Sequence, residues 1–356
     1  MKLQWPPSRE ELENLARTHS QREIARLYGK GRGTIRKYLA KYGIQTHAAD
    51  DMAEKALSLL RRPTTLDALA DALDRGPSKV RALLEGLQAQ GYRIVQHGNL
   101  WTLDTQPTPA EAETLLPAPS NGRIRIGIVS DTHLGSKYQQ LTYLRETYRR
   151  FEDAGVQEVY HVGDVLDGVD VYRGQHAEQF LHTYDEQVDY AIVHYPQASI
   201  RTKVIGGNHD LAGVKRGDSD PLRRLVAQRP DLEYLGPYSA WPQLGQLLMY
   251  LLHPDGSPAY AISYKLQKII ESFEGGRKPH VLVVGHWHQM AYIHTRNVHG
   301  FYAGTFQAQT EYERRKALQP QIGALLLDIR VAEDGSWQEL TPTFYRYYVP
   351  KERDYE

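Results

Sequence analysis

The sequence predicts an α/β domain carried behind two small, mainly helical modules. Three observations carry this reading. From residue 122 onward apolar strand-like runs alternate with helical stretches, which is the pattern of an α/β core. The stretch Asp104 to Asn121, DTQPTPAEAETLLPAPSN, is rich in Pro, Thr, Ala and Glu and reads as a semi-rigid linker. Before it the pattern is helical and broken into short capped segments. A chain of 356 residues accommodates two or three domains. The expected boundaries are 1–46, 47–104, a linker at 105–121, and 122–356.

Residues 8–18 begin with Ser8, and Glu11 follows three positions later, as in a capping box. Residues 20–28 repeat the arrangement from Ser20. Gly29, Gly31 and Gly33 supply a turn, and Thr34 to Tyr42 forms a third amphipathic helix. Helix, short helix, glycine turn and basic helix together resemble a helix-turn-helix of the resolvase kind. That resemblance implies a third helix in a DNA major groove, exposing Arg32, Thr34, Arg36, Lys37 and Lys41. Residues 1–45 hold 10 Lys/Arg against 4 Asp/Glu, a local excess of +6, as a nucleic-acid contact surface requires. A plain three-helix bundle packing on another surface is the alternative.

Residues 51–61, 65–74 and 78–90 read as helices, followed by short strands at Tyr92–Gln96 and Leu100–Asp104. His97-Gly98-Asn99 joins these strands, with Gly and Asn where positive φ is needed. Three helices and a hairpin resemble a winged helix. Residues 46–104 carry 7 basic and 8 acidic side chains, so protein docking or dimerisation is as well supported for this module as DNA contact.

Cysteine is absent, which excludes disulfides, thiolate metal sites and a Cys nucleophile. Any metal must be held by His, Asp, Glu or Asn. No apolar run approaches the ~18 residues needed to span a bilayer, and residues 1–25 contain no signal-peptide core. An intracellular, cytoplasmic protein without membrane attachment is expected.

In the α/β region strands are expected at Ile124–Ser130, Glu158–Val162, Thr202–Gly206, Leu247–Leu252 and His280–Val284, with later ones within 291–296, 298–304, 322–330 and 339–347. Each of the first five leads directly into polar residues. Asp131 and His133 stand in DTHLG, Asp164 in HVGDVLD, Asn208 and His209 in GGNHD, His253 in LLHPDG, and His286 and His288 in VVGHWH. Open α/β sheets place their sites beyond the carboxyl ends of strands. A rigid sheet edge holds such ligands close together, as a dinuclear site requires. Any one of these elements alone is weak, whereas the ordered set is not. His161 lies within an apolar strand and reads as core.

The series D-x-H, G-D, G-N-H-D, H and G-H-x-H is similar to that of the calcineurin-like metallophosphoesterases, over roughly residues 122–310. The resemblance implies a four-layer αββα sandwich, with the end of the chain completing the second sheet. It also implies a role for each residue. Asp131, His133 and His288 would hold one metal, and Asn208, His253 and His286 the other, with Asp164 bridging both. Mixed His/Asp/Asn ligation suits manganese, with iron or zinc as alternatives. A hydroxide bridging the two ions would attack phosphorus, with His209 as general acid protonating the leaving alkoxide. Asp210 would orient that imidazole, or else cap the following turn.

The DTHLG segment looks like that of SbcD-type DNA repair nucleases. That resemblance implies a DNase or DNA-end-processing phosphodiesterase, with a homodimer and an ATPase partner. It is incomplete, since the position three beyond the bridging aspartate is Asp167 where members of that group have histidine. The domain order and the segment HPDGSPAYAISYKLQKIIESF look more like phosphoesterases encoded by phages. Two alternatives stand beside the DNA-hydrolysing reading. One is a phosphatase or small-molecule phosphodiesterase localised to DNA, and the other a non-catalytic DNA-binding replication or regulatory factor.

Overall fold

The computed structural model describes the chain apart from residues 1–5, 19–20, 43–47, 91, 104–111, 116–121, 274–277 and 334–335. It divides into two compact units, Met1–Asp104 and Thr105–Glu356. Among the described residues no helix is long and apolar enough to cross a membrane.

The first unit opens with three helices, α1 (Arg9–Thr18), α2 (Gln21–Tyr28) and α3 (Arg32–Tyr42). The amide of Glu11 donates to Ser8 Oγ at 3.2 Å, the expected cap of α1. The cap expected from Ser20 lies outside the described residues. Leu12, Ile24, Ile35 and Leu39 form a small buried core between the three helices. Next come α4 (Ala48–Leu59), β1 (Thr64–Thr65), α5 (Leu66–Leu73), α6 (Pro77–Ala89), β2 (Ile94–His97) and β3 (Leu100–Leu103). The three strands form an antiparallel sheet in the order β1-β3-β2. The β2–β3 turn needs positive φ at Gly98 (φ 62°) but not at Asn99. Leu60, Leu69, Leu84, Leu87 and Trp101 close a second core.

The second unit is built on two six-stranded sheets. Its strands are β4 (Ala112–Leu115), β5 (Arg123–Val129), β6 (Glu158–Val162), β7 (Arg201–Ile205), β8 (Leu232–Gly236), β9 (Ser239–Leu244), β10 (Leu247–Leu252), β11 (Val281–Val284), β12 (Met290–Thr295), β13 (Val298–Ala303), β14 (Gly323–Val331) and β15 (Trp337–Arg346). One sheet runs β15-β14-β5-β6-β7-β8 and the other β12-β13-β11-β10-β9-β4. Strands β5 to β8 are parallel, as are β10, β11 and β13.

Alternation along each strand decides the layers. Ile124, Ile126 and Ile128 of β5 face Leu247, Met249 and Leu251 of β10 in a core that also takes in Tyr160, Val283 and Phe301. On the outer face of the first sheet, Val129 and Val159 pack under α7 (Leu141–Asp153), α8 (Tyr184–His194) and α10 (Pro221–Gln228). On the outer face of the second, Leu282 and Val284 pack under α11 (Ile262–Glu271). The order is helices, sheet, sheet, helix. Short helices α9 (Asn208–Lys215) and α12 (Glu311–Arg315) border the site.

Two expectations are corrected. The last strands complete the first sheet, because β14 pairs antiparallel with β5. Arg125 and Asp328 are opposed in that register, and their side chains form an ion pair at 2.9 Å. Within the segment read as a linker, Ala112–Leu115 forms β4, which pairs parallel with β9 at the edge of the second sheet.

Phe301 is fully buried between the sheets. Phe301→Ala is expected to cost about 3–5 kcal/mol of stability, measured by urea unfolding. A loss below about 1 kcal/mol, small for a core deletion, would contradict a closed inter-sheet core.

Candidate metal centre

Five strand ends converge on one edge of the second unit, three from the first sheet and two from the second. Strands β5, β6 and β7 lead into Asp131 and His133, into Asp164, and into Asn208 and His209. Strands β10 and β11 lead into His253 and into His286 and His288. Five of these residues have left-handed backbone: Asp131 (φ 52°), His133 (44°), Asp164 (54°), His286 (73°) and His288 (53°). Such a conformation costs a non-glycine residue on the order of 1–2 kcal/mol and persists only where its surroundings over-determine it.

Backbone bonds between the loops impose it. The amides of Asp131, His133 and Leu134 donate to the carbonyls of Gly163, Asp164 and Val165 at 3.0, 3.1 and 2.9 Å. Across the sheets, the His286 amide donates to both carboxylate oxygens of Asp131 at 3.1 Å. The approach is close enough to demand glycine. A Cβ on Gly207 would lie 2.1 Å from Asp164 Oδ1, and one on Gly285 2.3 Å from the Val162 carbonyl.

The side chains form groups around Asp164. Asp131, His133 and His288 converge, as do Asp164, His253 and His286, with ligand atoms all within 4.8 Å of one another in each set. His133 Nε2 lies 3.1 Å from His288 Nε2, and His288 Nε2 lies 3.4 Å from Asp131 Oδ1. His253 Nε2 lies 3.0 Å from Asp164 Oδ2 and 3.2 Å from Asn208 Oδ1. In His253 and His288 the other ring nitrogen is engaged. His253 Nδ1 meets the Val162 carbonyl at 2.7 Å, and His288 Nδ1 meets Glu313 Oε1 at 2.8 Å. His286 reverses the roles, with Nε2 at 2.8 Å from the Gly256 carbonyl, leaving Nδ1 for a ligand. Outer partners of this kind fix the orientation of metal-binding imidazoles. The sulfur-free set of imidazoles, carboxylates and amide oxygen fits divalent first-row ions.

Electrostatics are dominated by burial and by these contacts. Burial alone would lower the His253 imidazole, but Asp164 beside it outweighs this and holds it at about 9. Burial also opposes the charge on His288, yet Glu313 and Asp131 raise it well above the ordinary value. His286 is lowered to about 4 by burial and by the charge of His253. Asp164 is held well below the carboxylate range by His253 and His209, against the effect of burial. His161 is core, as expected: fully buried, at 3.1 Å from Thr132 Oγ1, and lowered to about 3 by burial.

The centre opens into a cleft of about 580 Å³, walled by Tyr172, by Gly256 to Pro258, by α12 and by residues 317–321. His209 lines it. Its amide donates to Asp164 Oδ1 at 2.9 Å, and its Nδ1 meets the Asp167 carbonyl at 2.6 Å, leaving Nε2 available. Asp210 is a correction. Its carboxylate accepts the amides of Val165, Leu166 and Gly207 at 3.2, 2.9 and 3.0 Å. It caps α9 and ties it to the loop after β6, and the His209 ring is oriented by Asp167 instead.

Sequence reasoning missed two supporting carboxylates. Glu313 bonds His288, and its only local signal is the Thr310-x-x-Glu313 capping box. Asp167 stands 3.3 Å from His133 Nδ1 and accepts from the side-chain amides of Gln175, Gln179 and Gln307. Tyr172 packs edge-on to His209 and against Tyr312, with its hydroxyl donating to Glu178. Trp287 is mostly buried under the site, with its indole N–H on the Gly256 carbonyl.

The residues expected to contact DNA belong to the other unit. Arg36, Lys37 and Lys41 are exposed on α3 and Thr34 is half-buried, while Ile35 and Leu39 face the core. The side chain of Arg32 lies outside the described residues.

The model of the calcineurin-like phosphoesterase superfamily domain matches residues 124–323, which contain all of these strand ends. The chain belongs to this superfamily. Among curated relatives, this superfamily member is similar to the DNA polymerase II small subunit of Methanothermobacter thermautotrophicus, 24% identical over 56% of this chain and 50% of the relative. The corresponding subunit of Archaeoglobus fulgidus is 25% identical over 58% and 52%. The chain thus spans about half the length of the curated relatives it matches. Among solved structures, one described as a novel archaeal phosphodiesterase is 15% identical, covering 62% of this chain and 99% of that one, with a TM-score of 0.37. The fold of the superfamily implies divalent metals, and the residues assembled at these strand ends can hold them.

Binding an ion must displace the protons held by His253 and His288. Affinity is therefore expected to rise with pH between 7 and 9, by up to about tenfold per unit for each proton released. Calorimetric titration of metal-free protein with manganese at several pH values measures this. A flat profile would contradict protonated His253 and His288 in the metal-free centre.

Proposed function

We propose that the chain is a divalent-metal-dependent phosphodiesterase acting on DNA. The convergence of six ligand-type side chains with Asp164, and of His209 beside them in an open cleft, supports this most directly. In this reading Asp131, His133 and His288 hold one ion and Asn208, His253 and His286 the other. Asp164 serves both, and manganese is the preferred metal. Bound ions of this kind polarise phosphoryl oxygens and make a water nucleophilic at neutral pH. His209 faces the cleft through Nε2 while Nδ1 donates to the Asp167 carbonyl, and it protonates the leaving oxygen from its imidazolium form, which burial of the ring disfavours.

DNA is favoured as substrate by two observations. The curated relatives are by name subunits of a DNA polymerase. The first unit presents the basic residues Arg36, Lys37 and Lys41 on the exposed face of α3. We read residues 1–46 as a helix-turn-helix and 47–104 as a winged-helix-like module that raise the local concentration of DNA at the cleft. The likeness to polymerase small subunits also favours a second reading, a replication factor using this fold as a scaffold. Against it, a scaffold has no need to keep seven ligand-type residues and His209 in register.

His209→Ala is expected to lower manganese-dependent cleavage of end-labelled DNA by about 10²–10⁴-fold. Hydrolysis of a bis-nitrophenyl ester should fall much less, because nitrophenolate leaves without a proton. Ester turnover with intact DNA would move the substrate to a small phosphoester, and no metal-dependent turnover of either would favour the scaffold. Separately, replacing Arg36 and Lys37 by alanine should weaken DNA binding and flatten its logarithmic salt dependence by about 2. An unchanged slope in fluorescence anisotropy titrations would remove α3 from the interface.

A further inference from the structure

We infer that Glu313 is a positioning residue that fixes the tautomer of His288 for metal binding. The inference rests on the two-metal reading and adds a residue to it. His288 is held at two points. Its carbonyl accepts the Gln321 amide at 2.7 Å, and its Nδ1 meets Glu313 Oε1 at 2.8 Å. Glu313 is nearly buried and accepts the Thr310 amide through its second oxygen at 3.0 Å. The Glu313 amide in turn donates to Thr310 Oγ1 at 3.1 Å. One carboxylate therefore closes the capping box of α12 and orients the imidazole.

The helix that carries Glu313 is fixed from outside as well. Glu178 accepts the Tyr312 amide through one oxygen, at 2.9 Å, and the Tyr172 hydroxyl through the other, at 2.7 Å. The carboxylate has no proton to give, so His288 must donate from Nδ1 and keep Nε2 for the ion. That Nε2 is the atom 3.1 Å from His133 Nε2 and 3.4 Å from Asp131 Oδ1. A carboxylate behind a ligating histidine both orients it and raises its basicity.

Glutamine and alanine separate this role from simple capping. In Glu313→Gln the amide oxygen can still accept from Thr310, as a capping box allows. The amide NH2 then faces His288 Nδ1, which must become the acceptor, placing the ring proton on Nε2 where the ion binds. Alanine removes the cap but leaves Nδ1 free to donate to water.

The experiment is calorimetric titration of metal-free wild type, Glu313→Gln and Glu313→Ala with manganese, alongside thermal melts without metal. For a positioning residue, Glu313→Gln should melt like wild type and bind manganese roughly 10–100-fold more weakly, at least as weakly as Glu313→Ala. Glu313→Gln binding like wild type while only Glu313→Ala is impaired would overturn the inference, reducing Glu313 to a helix cap. Wild-type protein that takes up no manganese would overturn the two-metal reading, and this inference with it.

Discussion

Everything in the second unit is arranged so that the carboxyl edges of two sheets can approach one buried carboxylate. Asp164 accepts the His209 amide from the first sheet and faces His253 from the second. Burying a charge of this kind is costly unless it is paired and hydrogen-bonded. The imidazoles around it offset that cost, and their own burial is in turn tolerated because Asp164 and Asp131 carry negative charge. The requirement extends outward to backbone, since Gly207 and Gly285 must lack side chains for the loops to come this close.

The strands that carry the ligands were legible in the sequence because they combine two local signals. An apolar run such as Ile124–Val129 ends abruptly in a polar motif, and both features lie within a dozen residues. The supporting carboxylates were not legible. Nothing near Glu313 records that His288 lies beside it, because the contact depends on how α12 seats against the loop after β11. The role of Asp210 was open in sequence for the same reason, as three amides from two loops decide it. The sheet joined by β14 depends on register across about two hundred residues, which alternation alone does not encode. Residues 112–115 failed as a linker because an edge strand needs few side-chain signals when its partner offers backbone bonds.

Superfamily membership and the similarity to polymerase small subunits answer different questions. The first follows from the strand-end motifs and bears on chemistry. The second bears on the proposed setting alone, and it concerns proteins about twice as long as the matched region. The basic helix of the first unit bears on setting too, and it does so from within this chain. Both lines support the proposal of DNA as substrate without depending on each other.

The register of β14 on β5 has a consequence for how the protein is made. Ile128 at the head of the site pairs with Leu325, and the ligating positions extend to His288. A ribosome releases residues 131–164 long before either. The loops after β5 and β6 bond to each other, but the His286 amide that donates to Asp131 lies 155 residues further along, and pairing over such separations is slow. Until His286 and His288 have been made, the earlier carboxylates and imidazoles lack the groups that close the centre. An ion that needs the whole set can be held only once these long-range contacts have formed.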